Sequence, residues 1–361
     1  MTGLRLHATP YEAAFRRPVV TARATYQTRR GWFVTLRDGE GREGVGEVAP
    51  LPEFGTESPE RAVACLERLG TEGLPLPESD DWEALGAVLK TAGLTPEEFP
   101  STYAGLELAL LDRAARARGV SLARYIAPEA RDRQPVQRLL VEMDLEALAT
   151  EATTMVCSGY TTLKLKVGVS SLAQDFERVR TVRAAVGNQV RIRLDANGAW
   201  SPHEAMLALD AFIPLGIDLF EQPIVYTDPV SFAALRGRGV DIAADEALVR
   251  PAVARELISR RATDALVLKP MVLGGLGVAL KLAQEAHEQG LRVVVTSSLD
   301  QVVGVAGALH LACALPGEPE PSGLATLGLF AERSPELPVV NGAIALPEGP
   351  GLGVSAPLER G

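Results

Sequence analysis

From about residue 135 onward, short apolar runs alternate with longer segments whose apolar positions recur at helical spacing. The runs are Val136–Val141, Thr162–Val167, Arg191–Asp195, Asp218–Glu221, Asp241–Ala244, Ala265–Lys269 and Arg292–Thr296. Between them the spacing predicts helices over Leu172–Val186, Ser201–Ile213, Pro229–Arg236, Pro251–Arg260 and Leu276–Gln289. Strands alternating with crossover-length helices predict a parallel sheet, and seven strands in succession predict a barrel. Residues 1–130 follow a different rhythm. Trp32–Leu36 and Gly44–Val48 flank an Asp38-Gly39 turn as an antiparallel hairpin, and a Pro- and Gly-rich loop covers Ala49–Ser58. Helices follow from Ser58-Pro59 to Leu69, by N-cap and N1 preferences, and from Ser101 to about Arg118, which carries Leu106, Leu110 and Ala114 on one face. This part reads as an α+β cap. Past Leu315-Pro-Gly317 the periodicity fades, and one strand-like piece, Leu337–Asn341, is expected to return to the N-terminal domain. The expected division is 1–130 cap, 131–318 barrel and 319–361 returning segment.

Charge falls on this pattern at regular places. In a strand over Thr162–Val167, Leu163, Leu165 and Val167 face one way and Lys164 and Lys166 the other. Both faces of a parallel strand are normally covered, so the two ammonium groups point into the barrel. Composition sharpens this, because only five of the 36 Lys+Arg residues are lysines and three of those lie near the ends of strand-like runs. A lysine can lose its proton where an arginine cannot. Asp195, Glu221, Asp245 and Lys269 then close or follow successive runs at separations of 26, 24 and 24 residues, with 29 between Lys166 and Asp195. Taken singly, each acid reads as the N-cap of the next helix. Together they lie at consecutive C-terminal strand ends, where barrel sites assemble.

Three carboxylates sharing one mouth suit a hard divalent cation, Mg²⁺ or Mn²⁺, with positions left for a substrate carboxylate. The four scattered histidines offer no zinc alternative. Such a cation would neutralise the charge that builds when the carbon beside a carboxylate loses its proton. The base must be neutral near pH 7, and burial of Lys166 beside Lys164 lowers its affinity for a proton. Lys269, from the other side, is a second acid/base or a stabilising cation.

The 361 residues are 47% hydrophobic, enough for a barrel and a smaller domain. A net charge of −10 without a basic cluster argues against nucleic acid. Three distant cysteines fit a reducing cytoplasm, and no apolar run has the length of a membrane span.

Lys-x-Lys, Asp-x-Asn, Glu-Gln-Pro, Asp-Glu and the later strand-end lysine, in this order, resemble the enolase superfamily and its muconate-lactonising subgroup. That resemblance implies an α/β fold, a (β/α)₇β modified TIM barrel with an N-terminal α+β capping domain completed by the C-terminal tail. It also implies Mg²⁺ on Asp195, Glu221 and Asp245, Lys166 as base, Lys269 opposite and Lys164 as its modulator. A small carboxylate substrate and a homo-oligomer complete the expectation. Within the subgroup, Gly46-Glu-Val-Ala-Pro-Leu-Pro-Glu-Phe-Gly55, Arg193-Leu-Asp-Ala-Asn-Gly-Ala-Trp200 and Thr296-Ser-Ser-Leu-Asp-Gln-Val-Val-Gly304 look most like the o-succinylbenzoate synthases. Ser297, Ser298, Asn197 and Arg193 are then expected near substrate. Asp300 departs from that pattern, being shorter than the expected glutamate. The readings left open are an N-acylamino acid racemase on the same scaffold, a metal-independent Schiff-base lyase and a barrel that only binds an anion.

Overall fold

The computed structural model describes residues 3–20, 25–332 and 336–355. It begins with a four-stranded antiparallel sheet ordered β3-β2-β1-β4, formed by β1 (Gly3–Val20), β2 (Thr25–Arg37), β3 (Glu43–Val48) and β4 (Leu74–Pro75). The 18-residue β1 is absent from the sequence expectation, because Pro10 interrupts its alternation. The proline is tolerated because β4 pairs only with Gly3 and Leu4, leaving the rest of that edge without a ladder partner in this sheet. Helices α1 (Pro59–Glu72), α2 (Trp82–Thr91), α3 (Pro100–Ala117) and α4 (Leu122–Ile126) complete the cap. The axis of α3 lies close on β3, because a Cβ on Gly46 would collide with the Gly105 backbone and one on Gly105 with Glu47.

The chain next forms β5 (Arg133–Pro135), β6 (Arg138–Leu140), α5 (Leu145–Cys157), β7 (Thr162–Lys166), α6 (Leu172–Val186), β8 (Arg191–Asp195) and α7 (Pro202–Phe212). It continues with β9 (Ile217–Glu221), α8 (Pro229–Ala233), β10 (Asp241–Ala244), α9 (Pro251–Ser259), β11 (Ala265–Leu268), α10 (Pro270–Leu273), α11 (Leu276–Glu288), β12 (Arg292–Val295) and α12 (Val302–Ala314). Strands β6 to β12 pair in chain order, all parallel. The expected strand Val136–Val141 is divided, since Val136 leaves the antiparallel pairing of β5 before β6 starts. Ser322 and Gly323 close the barrel as its eighth member, bridging Val136 on one side and Thr296 on the other. Gly323 is needed there, because any Cβ would strike the Thr296 side chain. A two-residue strand in a Pro- and Glu-rich stretch carries no periodicity to read.

The piece Leu337–Asn341 does not go to the cap, contrary to the sequence expectation. β13 (Val339–Val340) turns through Asn341 and Gly342, at φ 50 and 66, into β14 (Ala343–Ala345), which pairs with β5. Asn-Gly with both residues left-handed makes a two-residue hairpin, so this segment folds back on itself. The tail reaches the cap elsewhere. Ala331 donates to the Ala14 carbonyl, and Leu122 donates to Gly351. Asp112 on α3 accepts from Val45 at 2.9 Å and Leu352 at 2.7 Å.

Two buried carboxyls of the cap hold the barrel by its helix starts. Glu47 accepts from the N–H groups of Gln301 and Gly304 at the start of α12, both at 2.8 Å, and Glu107 accepts from Gly277 at the start of α11 at 3.2 Å. These N–H groups have no partner inside their helices. Among the described residues no helix is long and apolar enough to cross a membrane.

His310 on α12 joins barrel, cap and tail, with Nδ1 accepting from Ala123 at 3.0 Å and Nε2 donating to the Leu352 carbonyl at 3.0 Å. Burial pushes its pKa down to about 4. The unfolded chain therefore binds a proton that the folded one excludes, so this stability is whole above the ordinary histidine pKa and is lost as pH falls toward about 4. Thermal unfolding should show a loss on the order of 2 kcal/mol between about pH 7 and about pH 5. A His310→Gln variant should show a flatter slope over that window, and an unchanged slope would remove the assignment.

Candidate active site

Strand register assembles the site. Lys166, Asp195 and Glu221 are direct partners across β7, β8 and β9, so they stand in one row on the inner face. Asp245 follows β10 and Lys269 follows β11. Counting Ser322–Gly323 as the eighth strand, β7 and β11 are four positions apart, which sets the two lysines on opposite walls with the carboxylates between. All line a cavity of about 140 Å³ whose apolar side comes from Val19, Leu51 and Phe54 of the cap and from Leu139, Leu299 and Leu329.

The three ammonium groups have different neighbours. Lys164 Nζ lies 2.7 Å from Glu221 Oε1 and 2.9 Å from Asp195 Oδ2. Lys269 Nζ lies 2.6 Å from both oxygens of Asp245 and 4.6 Å from the centre of the Phe54 ring. Lys166 Nζ donates instead to a neutral amide, Asn197 Oδ1, at 2.7 Å. Burial lowers all three, but for Lys164 the Asp195 and Glu221 charges outweigh it, and for Lys269 those of Asp245 and Glu246 do. Lys166 alone ends below the ordinary lysine value, by burial first, with Lys164 and Lys269 adding to it against the pull of Asp195.

A second tier holds Lys166 in place. Asn197 Nδ2 donates to Glu246 Oε1 at 2.8 Å, and the Asn197 N–H donates to Asp195 at 3.0 Å. Burial, with Asp245 adding, raises Glu246 to about 6. Gln222 Oε1 accepts from the Asp245 N–H at 2.9 Å and so fixes the next strand end. Asn197, Gln222 and Leu299 all have positive φ, 46, 40 and 62, in the turns just after β8, β9 and β12. Left-handed backbone at non-glycine residues concentrates at the mouth, as strain does at functional sites. Glu246 and Gln222 were not singled out from sequence, although the acid beside Asp245 and the Glu-Gln-Pro motif were visible.

Among the described residues no three carboxylates, histidines or cysteines close on one centre. The reason is local: Lys164 stands between Asp195 and Glu221, and Lys269 covers Asp245. The donor chemistry still fits a hard divalent cation, for three buried carboxylates from consecutive strand ends face one cavity. The lysines do not compensate the three equally. Burial, with repulsion from Asp195 and Asp245, pushes Glu221 up to about 8 despite its bond to Lys164, whereas Lys164 and Lys166 hold Asp195 low against burial.

Ser297 and Ser298 lie on the cavity wall, with Ser297 Oγ 2.8 Å from Thr326 Oγ1. Thr326 comes from the Gly323-Leu-Ala-Thr-Leu327 stretch of the tail. Arg193, expected near substrate, does not line the cavity. It sits one layer below the row, opposite Lys164 in register, and is wholly buried. Its guanidinium donates to Asp218, Gln137, Glu320 and the Pro321 carbonyl. Every nitrogen is used in the barrel floor, so none faces a ligand.

The Enolase C-terminal domain-like family matches residues 147–359, and the family MenC, N-terminal domain, matches residues 5–112. Chloromuconate cycloisomerase of Cupriavidus necator is 30% identical over 94% of this chain and 92% of its own. o-Succinylbenzoate synthase of Thermobifida fusca is 40% identical over 50% of this chain and 56% of its own. The substrate-liganded L-Ala-D/L-Glu epimerase of Bacillus subtilis superposes with a TM-score of 0.88 at 27% identity, covering 98% of each chain. A barrel whose strand ends present Lys-x-Lys, three carboxylates and an opposing lysine, under an α+β cap, is an enzyme scaffold, and the chain belongs to the enolase superfamily.

Proposed function

We propose that the chain is an o-succinylbenzoate synthase of menaquinone biosynthesis, dehydrating 2-succinyl-6-hydroxy-2,4-cyclohexadiene-1-carboxylate. The observation that carries the reading is the asymmetry of the opposed lysines: Lys166 bonds an amide and has a lowered proton affinity, while Lys269 is ion-paired and stays charged. That asymmetry suits a reaction on one face with one base. The MenC N-terminal match and the similarity to the Thermobifida enzyme support the substrate. When bound by Asp195, Glu221 and Asp245, Mg²⁺ or Mn²⁺ supplies the positive charge that a substrate carboxylate needs as its α-carbon becomes anionic.

Lys166 Nζ takes the proton from the carbon beside the ring carboxylate. Its ammonium form returns that proton to the hydroxyl leaving the same face, so one C–H and one C–O bond break and water is released. Asn197 and Glu246 hold Nζ in line, and Lys269 supplies fixed positive charge across the ring. The apolar wall of Leu51, Phe54, Leu139 and Leu299 accommodates the ring. Ser297, Ser298 and Thr326 face the succinyl carboxylate. An N-acylamino acid racemase is the second reading, favoured by the likeness to the epimerase structure and by a lysine on each wall.

Proton NMR of the purified protein with the cyclohexadiene substrate in D₂O and Mg²⁺ should show the aromatic signals of o-succinylbenzoate. EDTA should abolish them. Absence of conversion, with α-deuteration of N-acylamino acids, would transfer the assignment to the racemase. Lys166→Ala and Lys269→Ala should each lower kcat on the order of 10³-fold or more with unchanged circular dichroism. Near-wild-type turnover in either would remove its role. Asp195→Asn should raise the Mg²⁺ concentration for half-activity on the order of 10-fold or more in a metal titration.

A further inference from the structure

Ser298 faces the cavity in front, and behind it stands a carboxyl pair that the chemistry above does not use. Ser298 Oγ lies 2.8 Å from Asp300 Oδ1, and the Ser298 N–H lies 3.2 Å from Oδ2. Asp300 is 2% exposed. On its far side is a small pocket of about 20 Å³ whose other lining side chains are apolar. Glu47 of the cap comes in beside it, and Gly304 is the spacer between them, since a Cβ there would meet Asp300 at 2.7 Å and Glu47 Oε2 at 3.2 Å.

The two acids are supplied unequally. Glu47 accepts from Tyr11 at 2.6 Å and from two backbone N–H groups, which suits a carboxylate. Among the described residues Asp300 has hydrogen bonds only with Ser298. The charged groups facing the pair are Arg29 from β2 and Lys269 from the β11 end, with the Tyr11 hydroxyl from β1. Arg29 spends its terminal nitrogens on the carbonyls of Arg30, Ala49 and Pro50, and Lys269 is bound to Asp245. Burial is the largest cause raising the proton affinity of both acids, with the Asp300 charge adding to that of Glu47, which reaches about 7.

The direction of one hydrogen bond follows from the charge on Asp300. Against an ionised Asp300, Ser298 must donate its single proton backward and can offer a ligand only lone pairs. Against a protonated Asp300, the carboxylic O–H donates to Ser298 Oγ and the serine proton is free to point into the cavity. We propose that Asp300 is a positioning residue that takes up a proton from solvent when a carboxylate of the ligand binds at Ser298, turning this serine from acceptor to donor. One proton moves from solvent to Asp300, and no covalent bond of the ligand changes. The inference rests on the reading that the second carboxylate of a succinyl group lies at Ser297 and Ser298.

Calorimetry tests it by titrating o-succinylbenzoate and an N-succinylamino acid into the Mg²⁺-supplied protein. Buffers of different protonation enthalpy at about pH 6, 7 and 8 yield the protons taken up per ligand bound. The wild type should take up a measurable fraction of a proton for each ligand bound. In Asp300→Asn, whose amide donates to Ser298 at every pH, uptake should fall below that of the wild type and affinity should depend less on pH. Glu47→Gln, which removes the neighbouring charge, should shift the uptake to lower pH. A purely structural Asp300 would lower affinity in Asp300→Asn without moving the proton count. Binding of o-succinylbenzoate without uptake by the wild type overturns the inference and leaves the substrate reading standing. Uptake with the N-succinylamino acid alone does the reverse, and binding of neither ligand overturns both.

Discussion

Four carboxyl groups and three ammonium groups share the mouth of one barrel with little access to water, and their mutual neutralisation sets the behaviour of each. Burial alone would strip the charge from every lysine present. Lys164 and Lys269 keep theirs because carboxylates lie 2.6 to 2.9 Å away. Lys166 has an amide at the same range and, among the described residues, no carboxylate in bonding contact, so desolvation wins there. One neutral side chain, Asn197, thus distinguishes the lysine of lowered proton affinity from two ion-paired lysines. Its left-handed backbone turns the amide toward Nζ, and Glu246 anchors the other end.

The barrel beneath this mouth is closed by another charged layer. Arg193 and Arg292 share Asp218 and Glu320, with Gln137 and Asp241 completing the set. Buried ions of this kind are tolerated only when each donor is matched, and here the eighth strand brings Glu320 and Pro321 to do it. The cap uses the same logic at its border, satisfying the buried helix starts of α11 and α12 with Glu107 and Glu47. Cap docking, the Ser298 wall and the substrate mouth are therefore one connected assembly.

The legible part of the molecule was whatever repeats with a period. Seven barrel strands, most of the helices between them and the charged strand ends could be read because parallel strands buried on both faces are continuous apolar runs, and because one βα unit per step spaces the chemistry; α5 was missed. The illegible parts have local signals that contradict their fate. β1 contains a proline, the eighth strand is two residues in a Pro- and Glu-rich stretch, and Arg193 sits in the same motif as Asp195 yet faces the floor. A strand's alternation puts both on the inner face but does not say at what depth a long side chain ends.

By itself the sequence determined the architecture, the identity of the row Lys164, Lys166, Asp195, Glu221, Asp245 and Lys269, and the superfamily, since period and order are properties of the chain. Only the tertiary structure decided which lysine has its proton affinity lowered, that Glu246 and Gln222 support the row, that Arg193 belongs to the barrel floor and that Asp300 stands beside Glu47. Proton affinity and partner choice depend on distances of 3 Å between residues tens to hundreds of positions apart, and such distances exist only once the barrel has closed and the cap has docked.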